Sequence, residues 1–173
     1  MLNFNTKINK VISGGQTGAD RAGLEAARTL GIETGGTAPK SFRTQNGNDT
    51  SLIKFGLIED DSFAYAPRTK KNVKNSDGTI IIAMNLNSPG CSLTQKYISQ
   101  YSKPMFLVQL TDDGKIKFNS DLNDAVKWVF DNGILVLNVA GNREVIKEGQ
   151  SLVFNPAFKF MHHLIRKVND ESI

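Results

Sequence analysis

The stretch Lys10-Val11-Ile12-Ser13-Gly14-Gly15-Gln16-Thr17-Gly18-Ala19-Asp20-Arg21-Ala22-Gly23-Leu24-Glu25-Ala26-Ala27-Arg28-Thr29-Leu30-Gly31 decides the fold. Val11 to Ser13 is short and apolar enough to be a central strand. A loop with three glycines follows, then an Ala- and Leu-rich helix from about Asp20 to Leu30 that stops at Gly31. Ala22, Ala26, Ala27 and Leu30 give that helix a small-residue face able to lie close on a sheet. Strand, glycine loop and helix in this order can hold an anion. The glycines let backbone N–H groups approach it, and the positive end of the helix faces it. Gln16, Thr17, Asp20 and Arg21 add polar side chains to the loop. The competing reading is a tight turn that needs glycine for conformation alone. Gly14-Gly15-x-x-Gly18 lacks the first spacing of the dinucleotide fingerprint, and no Gly-Lys-Ser/Thr follows to make a P-loop.

Working outward, the same unit recurs. Thr79-Ile80-Ile81-Ile82-Ala83-Met84 is a continuous β-branched run, as expected of a strand buried on both faces of a parallel sheet. The small-residue loop Asn85 to Thr94 follows it, and a helix runs from roughly Ser92 to Ser102. Met105 to Leu110 is a further strand. Ser120 caps a helix through Asp131, with Leu122, Ala125, Val126, Val129 and Phe130 on its apolar side and Gly133 as its stop. Ile134 to Ala140 is the last strand and ends in the polar loop Gly141-Asn142-Arg143-Glu144. Pro156 starts a final helix to about Asn169. Ile32 to Thr34 reads as a short second strand, Leu52 to Leu57 as helical, and the basic stretch Arg68 to Asn75 as a helix or helical turn. Four or five strands alternating with helices predict an α/β fold: a Rossmann-like, doubly wound, mostly parallel sheet with helices on both faces.

Ligands of such sheets sit at the carboxyl ends of the strands. The two strand–loop–helix units therefore place two anion-holding loops on one edge, unless the second is only a turn with a Ser/Thr cap. Gly35 to Asn48 reads as a long loop rich in Gly, Asn and Pro. Its Lys40 and Arg43 either reach an anion at the first loop or stand as solvated cations.

A length of 173 residues suits one domain, residues 1–173, with a sizeable core. The net charge of +4 is spread along the chain, and only 8% of residues are aromatic, so no basic–aromatic stripe marks a nucleic-acid partner. The single cysteine, Cys91, permits no intrachain disulfide and fits a reducing compartment. Met1 to Lys10 are polar and do not read as a signal segment, and no apolar run is long enough to span a membrane. A cytoplasmic location without membrane partners is the expectation.

No metal site is visible. His162 and His163 are adjacent on a helix and point about 100° apart. Cys91 reads as a small buried thiol. Acid–base work, if the protein is an enzyme, falls to Asp20, Asp77 or Glu144, each of which has a competing structural role. Asp20 can cap a helix, Asp77 can shape a turn, and Glu144 can pair with Arg143.

Four blocks, taken together, resemble the molybdenum cofactor carrier family. They are Ile12-Ser13-Gly14-Gly15-Gln16-Thr17-Gly18-Ala19-Asp20-Arg21-Ala22, then Gly35-Gly36-x-x-Pro39-Lys40, then Arg68-Thr69-x-x-Asn72-Val73-x-x-Ser76-Asp77-Gly78-Thr79, and last Asn138-Val139-Ala140-Gly141-x-Arg143-Glu144. The family shares a Rossmann-like superfamily with the lysine decarboxylase-like, cytokinin-activating phosphoribohydrolases, whose members bind nucleotide-like ligands. The resemblance implies that Gly14, Gly15, Thr17, Gly18 and Arg21 hold a phosphate. It implies a second cradle at Ser88, Gly90, Ser92 and Thr94, with Arg68, Asn72, Ser76 and Asp77 lining the cleft and Arg143 in the closing block. The hydrolase branch has Pro-Gly-Gly-x-Gly-Thr-x-x-Glu at the second loop. Here Pro89-Gly90-Cys91-Ser92-Leu93-Thr94-Gln95-Lys96-Tyr97 replaces two glycines and puts Tyr97 in place of the glutamate.

The expectation is a binding protein for a small phosphorylated heterocycle, with molybdenum cofactor (molybdopterin) or a nucleotide-like compound as the ligand and no metal site in the protein itself. The alternatives are a sensor or sponge for an ADP-ribose-like signal and a nucleotide or nucleoside-phosphate hydrolase. The superfamily also implies a homo-oligomer.

Overall fold

In the computed structural model, which describes residues 6–116 and 118–171, the chain runs β1 (Lys10–Ile12), α1 (Ala19–Thr29), β2 (Glu33–Ala38), β3 (Arg43–Thr44), β4 (Gly47–Asn48), β5 (Leu57–Glu59) and α2 (Tyr65–Lys74). It continues β6 (Gly78–Ala83), α3 (Pro89–Gln100), β7 (Met105–Gln109), α4 (Phe118–Asn132), β8 (Val136–Gly141), β9 (Ile146–Lys147), β10 (Gln150–Ser151) and α5 (Phe154–Glu171). Six strands form one sheet in the order β5-β2-β1-β8-β6-β7. Every pairing in it is parallel. β3–β4 and β9–β10 are separate two-residue ribbons.

The run Gly78–Ala83 is buried at all its positions, as its β-branched composition requires. Ile80 and Ile82 join the core under α1, α4 and α5, together with Ala22, Ala26, Ala27, Phe160, Met161 and Leu164. Ile81 and Ala83 face the other way, onto Val73, Cys91 and Ile98 of α2 and α3. The alternation of one strand thus builds both layers. α1 lies close on β8 because Gly23 has no side chain: a Cβ there would sit 2.7 Å from the Val139 Cβ.

The differences from expectation have local causes. β2 runs on through Gly35 and Gly36, which read as loop. Glycine stands there because the strand passes so near β1 that a Cβ on Gly36 would be 2.2 Å from the Ser13 carbonyl oxygen. Thr50–Phe55 is a 3-10 segment, and Leu57–Glu59, too short to show a period, forms the edge strand. α2 begins at Tyr65, three residues before Arg68, because Pro67 falls in its first turn, where a missing N–H costs nothing. α4 begins at Phe118, and the cap expected from the Ser120 side chain lies outside the described residues. No helix among the described residues is long and apolar enough to cross a membrane.

Because the sheet is parallel, the segments after β1, β2, β6 and β8 emerge on one edge. The strand order reverses between β1 and β8 on that edge, which is where a cleft forms in such sheets.

Candidate functional site

The first glycine loop is closed on its own side chains. The buried Asp20 carboxylate accepts the backbone N–H of Gln16 at 3.3 Å and also that of Gly14. The Gly15 N–H donates to Ser13 Oγ at 3.2 Å, and the Thr17 N–H to Gln16 Oε1 at 3.0 Å. The Ala19 N–H, at the start of α1, donates to the Asn142 carbonyl at 3.1 Å. Gly18 is the crossing point of this loop and the one after β8: a Cβ there would lie 2.4 Å from the Asn142 carbonyl oxygen. The anion that this loop surrounds is therefore the chain's own Asp20. Burial pushes the Asp20 carboxyl above its ordinary pKa, and Arg68 and the two amides only partly offset that.

Arg68 of α2 lies across the loop. Its Nη1 donates to Asp20 Oδ2 at 3.1 Å, and both side chains are largely buried. A Cβ on Gly14 would sit 1.4 Å from that nitrogen, so only glycine leaves room for the guanidinium. Arg68 Nε is buried and has no hydrogen-bond partner, and neither has Gln16 Nε2. Gly14, Arg68, Asn72, Thr94, Asn138 and Ala140 help to enclose a cavity of only about 10 Å³ beside it, at the lower limit for one water.

Three guanidiniums from three segments meet at one ring. Arg43, Arg68 and Arg143 stand 5.1, 5.5 and 5.1 Å from the centroid of Tyr65. Arg43 donates to the Phe63 carbonyl at 3.2 Å. Neither Arg43 nor Arg143 forms an ion pair among the described residues. Each cation–ring contact contributes about 0.5–1 kcal/mol at an exposed site, while the like charges repel. The arrangement gathers three positive charges around one ring.

Asn142 shapes the second loop. Its Oδ1 accepts the N–H groups of Met84 and Asn85 at 2.8 and 2.9 Å. Its Nδ2 donates to the Asn85 carbonyl, Ser88 Oγ and Cys91 Sγ. Ser88 caps α3 by accepting the Cys91 N–H, and Thr94 Oγ1 donates to the Gly90 carbonyl. Gly90 faces open space, and Ser92 is exposed. Burial pushes the Cys91 thiol pKa up.

Several expected site residues sit elsewhere or are already engaged. Asp77 Oδ2 accepts the N–H groups of Leu135 and Val136 at 3.0 and 2.8 Å, which ties β6 to β8 at their amino ends. Ser76 lies beside it, its Oγ bonded to the Val73 carbonyl. Both are at the sheet edge opposite the cleft, because the helix–strand turn before β6 falls there. Arg21 turns outward to Glu25, Asp49 and Ser51 and covers the Phe55 ring. Glu144 makes no pair with Arg143. Its carboxylate accepts the N–H groups of Val153 and Phe154 and caps α5. Asn72 clasps both backbone groups of Thr37 and lines the cavity with Thr94. Lys40 is exposed, 5.4 Å over Phe63.

Two important residues were not legible. Tyr65 shares a helix face with Arg68 at i, i+3, a signal visible only if α2 is extended back over Pro67. Asn142 has no spacing signal, since its partners are 51 to 58 residues away. Among the described residues no three His, Cys, Asp or Glu side chains are grouped to hold a metal ion.

Residues 11–158 match the circularly permutated YpsA SLOG family. A solved structure from Syntrophus aciditrophicus SB, of a protein named as a molybdenum carrier, is 34% identical, covers 95% of this chain and 96% of its own, and superposes with a TM-score of 0.76. No curated protein matches the chain.

Proposed function

The chain belongs to the circularly permutated YpsA SLOG family, and from that premise we propose that it binds a small phosphorylated heterocycle at the carboxyl edge of the sheet, with molybdenum cofactor as the first candidate. The observation that carries this reading is the convergence of Arg43, Arg68 and Arg143 on Tyr65. A phosphate there would relieve the repulsion among the three and gain charge-assisted hydrogen bonds. This donor set fits the phosphate end of molybdenum cofactor. The pterin would stay on the open side of Arg68, since a cavity of about 10 Å³ takes no ring.

Binding without turnover is favoured over hydrolysis by what the carboxylates do. Asp77 is on the opposite edge, Glu144 caps α5, and Asp20 is held by Arg68 and two amides. None is placed to activate a water against a ligand at Tyr65.

The test is native mass spectrometry of anaerobically purified protein, with metal analysis of the same sample. A bound pterin-sized mass with stoichiometric molybdenum supports the cofactor. A bound nucleotide without metal moves the reading to a sensor of a nucleotide-derived signal. The Arg43→Ala/Arg143→Ala variant should lose the bound mass, and retention of the same ligand would overturn the cleft.

A further inference from the structure

Resting on the ligand-binding reading above, we propose that Arg68 is the exchange point of the cleft: it leaves Asp20 for the ligand's terminal phosphate, and Asp20 competes with the ligand for it.

The N–H groups of Gly14, Gly15, Gln16 and Thr17 in the glycine loop already have acceptors, two of them on Asp20. A second anion among them would face the Asp20 carboxylate at short range. Arg68 is different. A guanidinium carries five N–H donors, and here Nη1 is engaged with Asp20 while the buried Nε has no acceptor. A phosphate can take the Nε–Nη2 edge through two parallel bonds, whereas Asp20 takes one bond from Nη1; because Nε is buried here, turning that edge to the cleft draws Nη1 off Asp20. Tyr65 supplies the pivot. Its ring holds Arg68 beside Arg43 and Arg143, so the guanidinium can change partner while it stays on the same aromatic surface.

The exchange selects ligands by charge. A neutral heterocycle offers Arg68 nothing that Asp20 does not already provide. A terminal phosphomonoester or diphosphate carries two negative charges and a bidentate edge, and it outcompetes a single carboxylate. Asp20 is thus a specificity-setting, positioning residue, and Arg68 a binding residue.

Inorganic pyrophosphate is the probe. Calorimetric titration of the wild type, Asp20→Asn and Arg43→Ala/Arg143→Ala gives affinities, and the Arg Nε–Hε resonances of ¹⁵N-labelled wild type report on Arg68. Asp20→Asn should bind pyrophosphate about tenfold or more tightly than wild type, and the Arg68 resonance of wild type should shift with saturation. The resonance is read in the unmodified protein, so it holds even if Asp20→Asn folds poorly. An unmoved Arg68 resonance, or an Asp20→Asn affinity no higher than wild type, overturns the exchange. If Arg43→Ala/Arg143→Ala still loses binding in that case, the cleft itself stands. No binding by wild type or Asp20→Asn overturns both.

Discussion

Glu144 holds the first turn of α5 through Phe154, whose backbone N–H donates to Glu144 Oε2 at 3.2 Å. Its other oxygen accepts from Val153, so one carboxylate meets two donors at the positive end of an 18-residue helix. Glu144→Ala should lower unfolding stability by about 1–2 kcal/mol, read by urea denaturation. Ligand affinity should change little, because the carboxylate is committed to Ser151 Oγ and the N–H groups of Val145, Val153 and Phe154. A loss of affinity with unchanged stability would place it in the cleft instead.

Asn142 should matter for both stability and binding. Removing its side chain leaves the Met84 and Asn85 N–H groups without acceptors. Each orphaned donor costs about 1–3 kcal/mol if it stays buried, and less where water reaches it. Asn142→Ala should unfold at lower urea and bind ligand more weakly, since it releases both the β6 loop and the Ser88 cap. Asn142→Asp keeps the acceptor and should recover much of the stability. If the two variants unfold alike, the accepted bonds are not what matters.

Asp77 should affect stability alone. Asp77→Ala strips the acceptor from the Leu135 and Val136 N–H groups and should cost about 1–3 kcal/mol. Ligand titration should give the wild-type affinity. A binding defect in a folded Asp77→Ala protein would contradict the placement of this residue on the opposite edge.

The pH dependence of Asp20 has a definite sign. Burial raises its folded pKa above the unfolded value of 3.8. Below the unfolded value both states hold the proton, and the Asp20 contribution to stability is fully present. As pH rises, the unfolded chain releases its proton first, and the contribution is lost through the folded pKa. Asp20→Asn cannot ionise. Its stability relative to wild type should therefore increase as the pH rises above the unfolded value of 3.8, as measured by denaturant unfolding at a series of pH values. A difference that is flat with pH would show that Arg68 and the amides fully offset burial, and one that falls would show that they outweigh it.

Much of the fold was legible because burial on both faces leaves a plain mark. Ile80-Ile81-Ile82 can only be an interior strand, and the alanines of α1 can only be a close-packed face. β2 was half hidden, because Gly35 and Gly36 suit a loop by propensity and were placed in a strand by the proximity of Ser13. In the site, the glycine loop and its helix were legible as local structure. The partners of that loop were not, since Asp20 is a cap by its position and becomes a resident anion only when Arg68, 48 residues on, is folded over it.

The sequence by itself determined the alternation of strand and helix, the edge on which the loops emerge and the presence of glycines where backbones meet. These follow from period, turn chemistry and the side chains that a buried surface accepts. Only the tertiary structure decided which charges face one another. It sent Asp77 to the opposite edge, turned Arg21 outward, gave Glu144 to α5 and gathered Arg43, Arg68 and Arg143 around Tyr65. Long side chains carry their charge well beyond their own backbone position, so spacing along the chain leaves their partners open until the sheet and helices are packed.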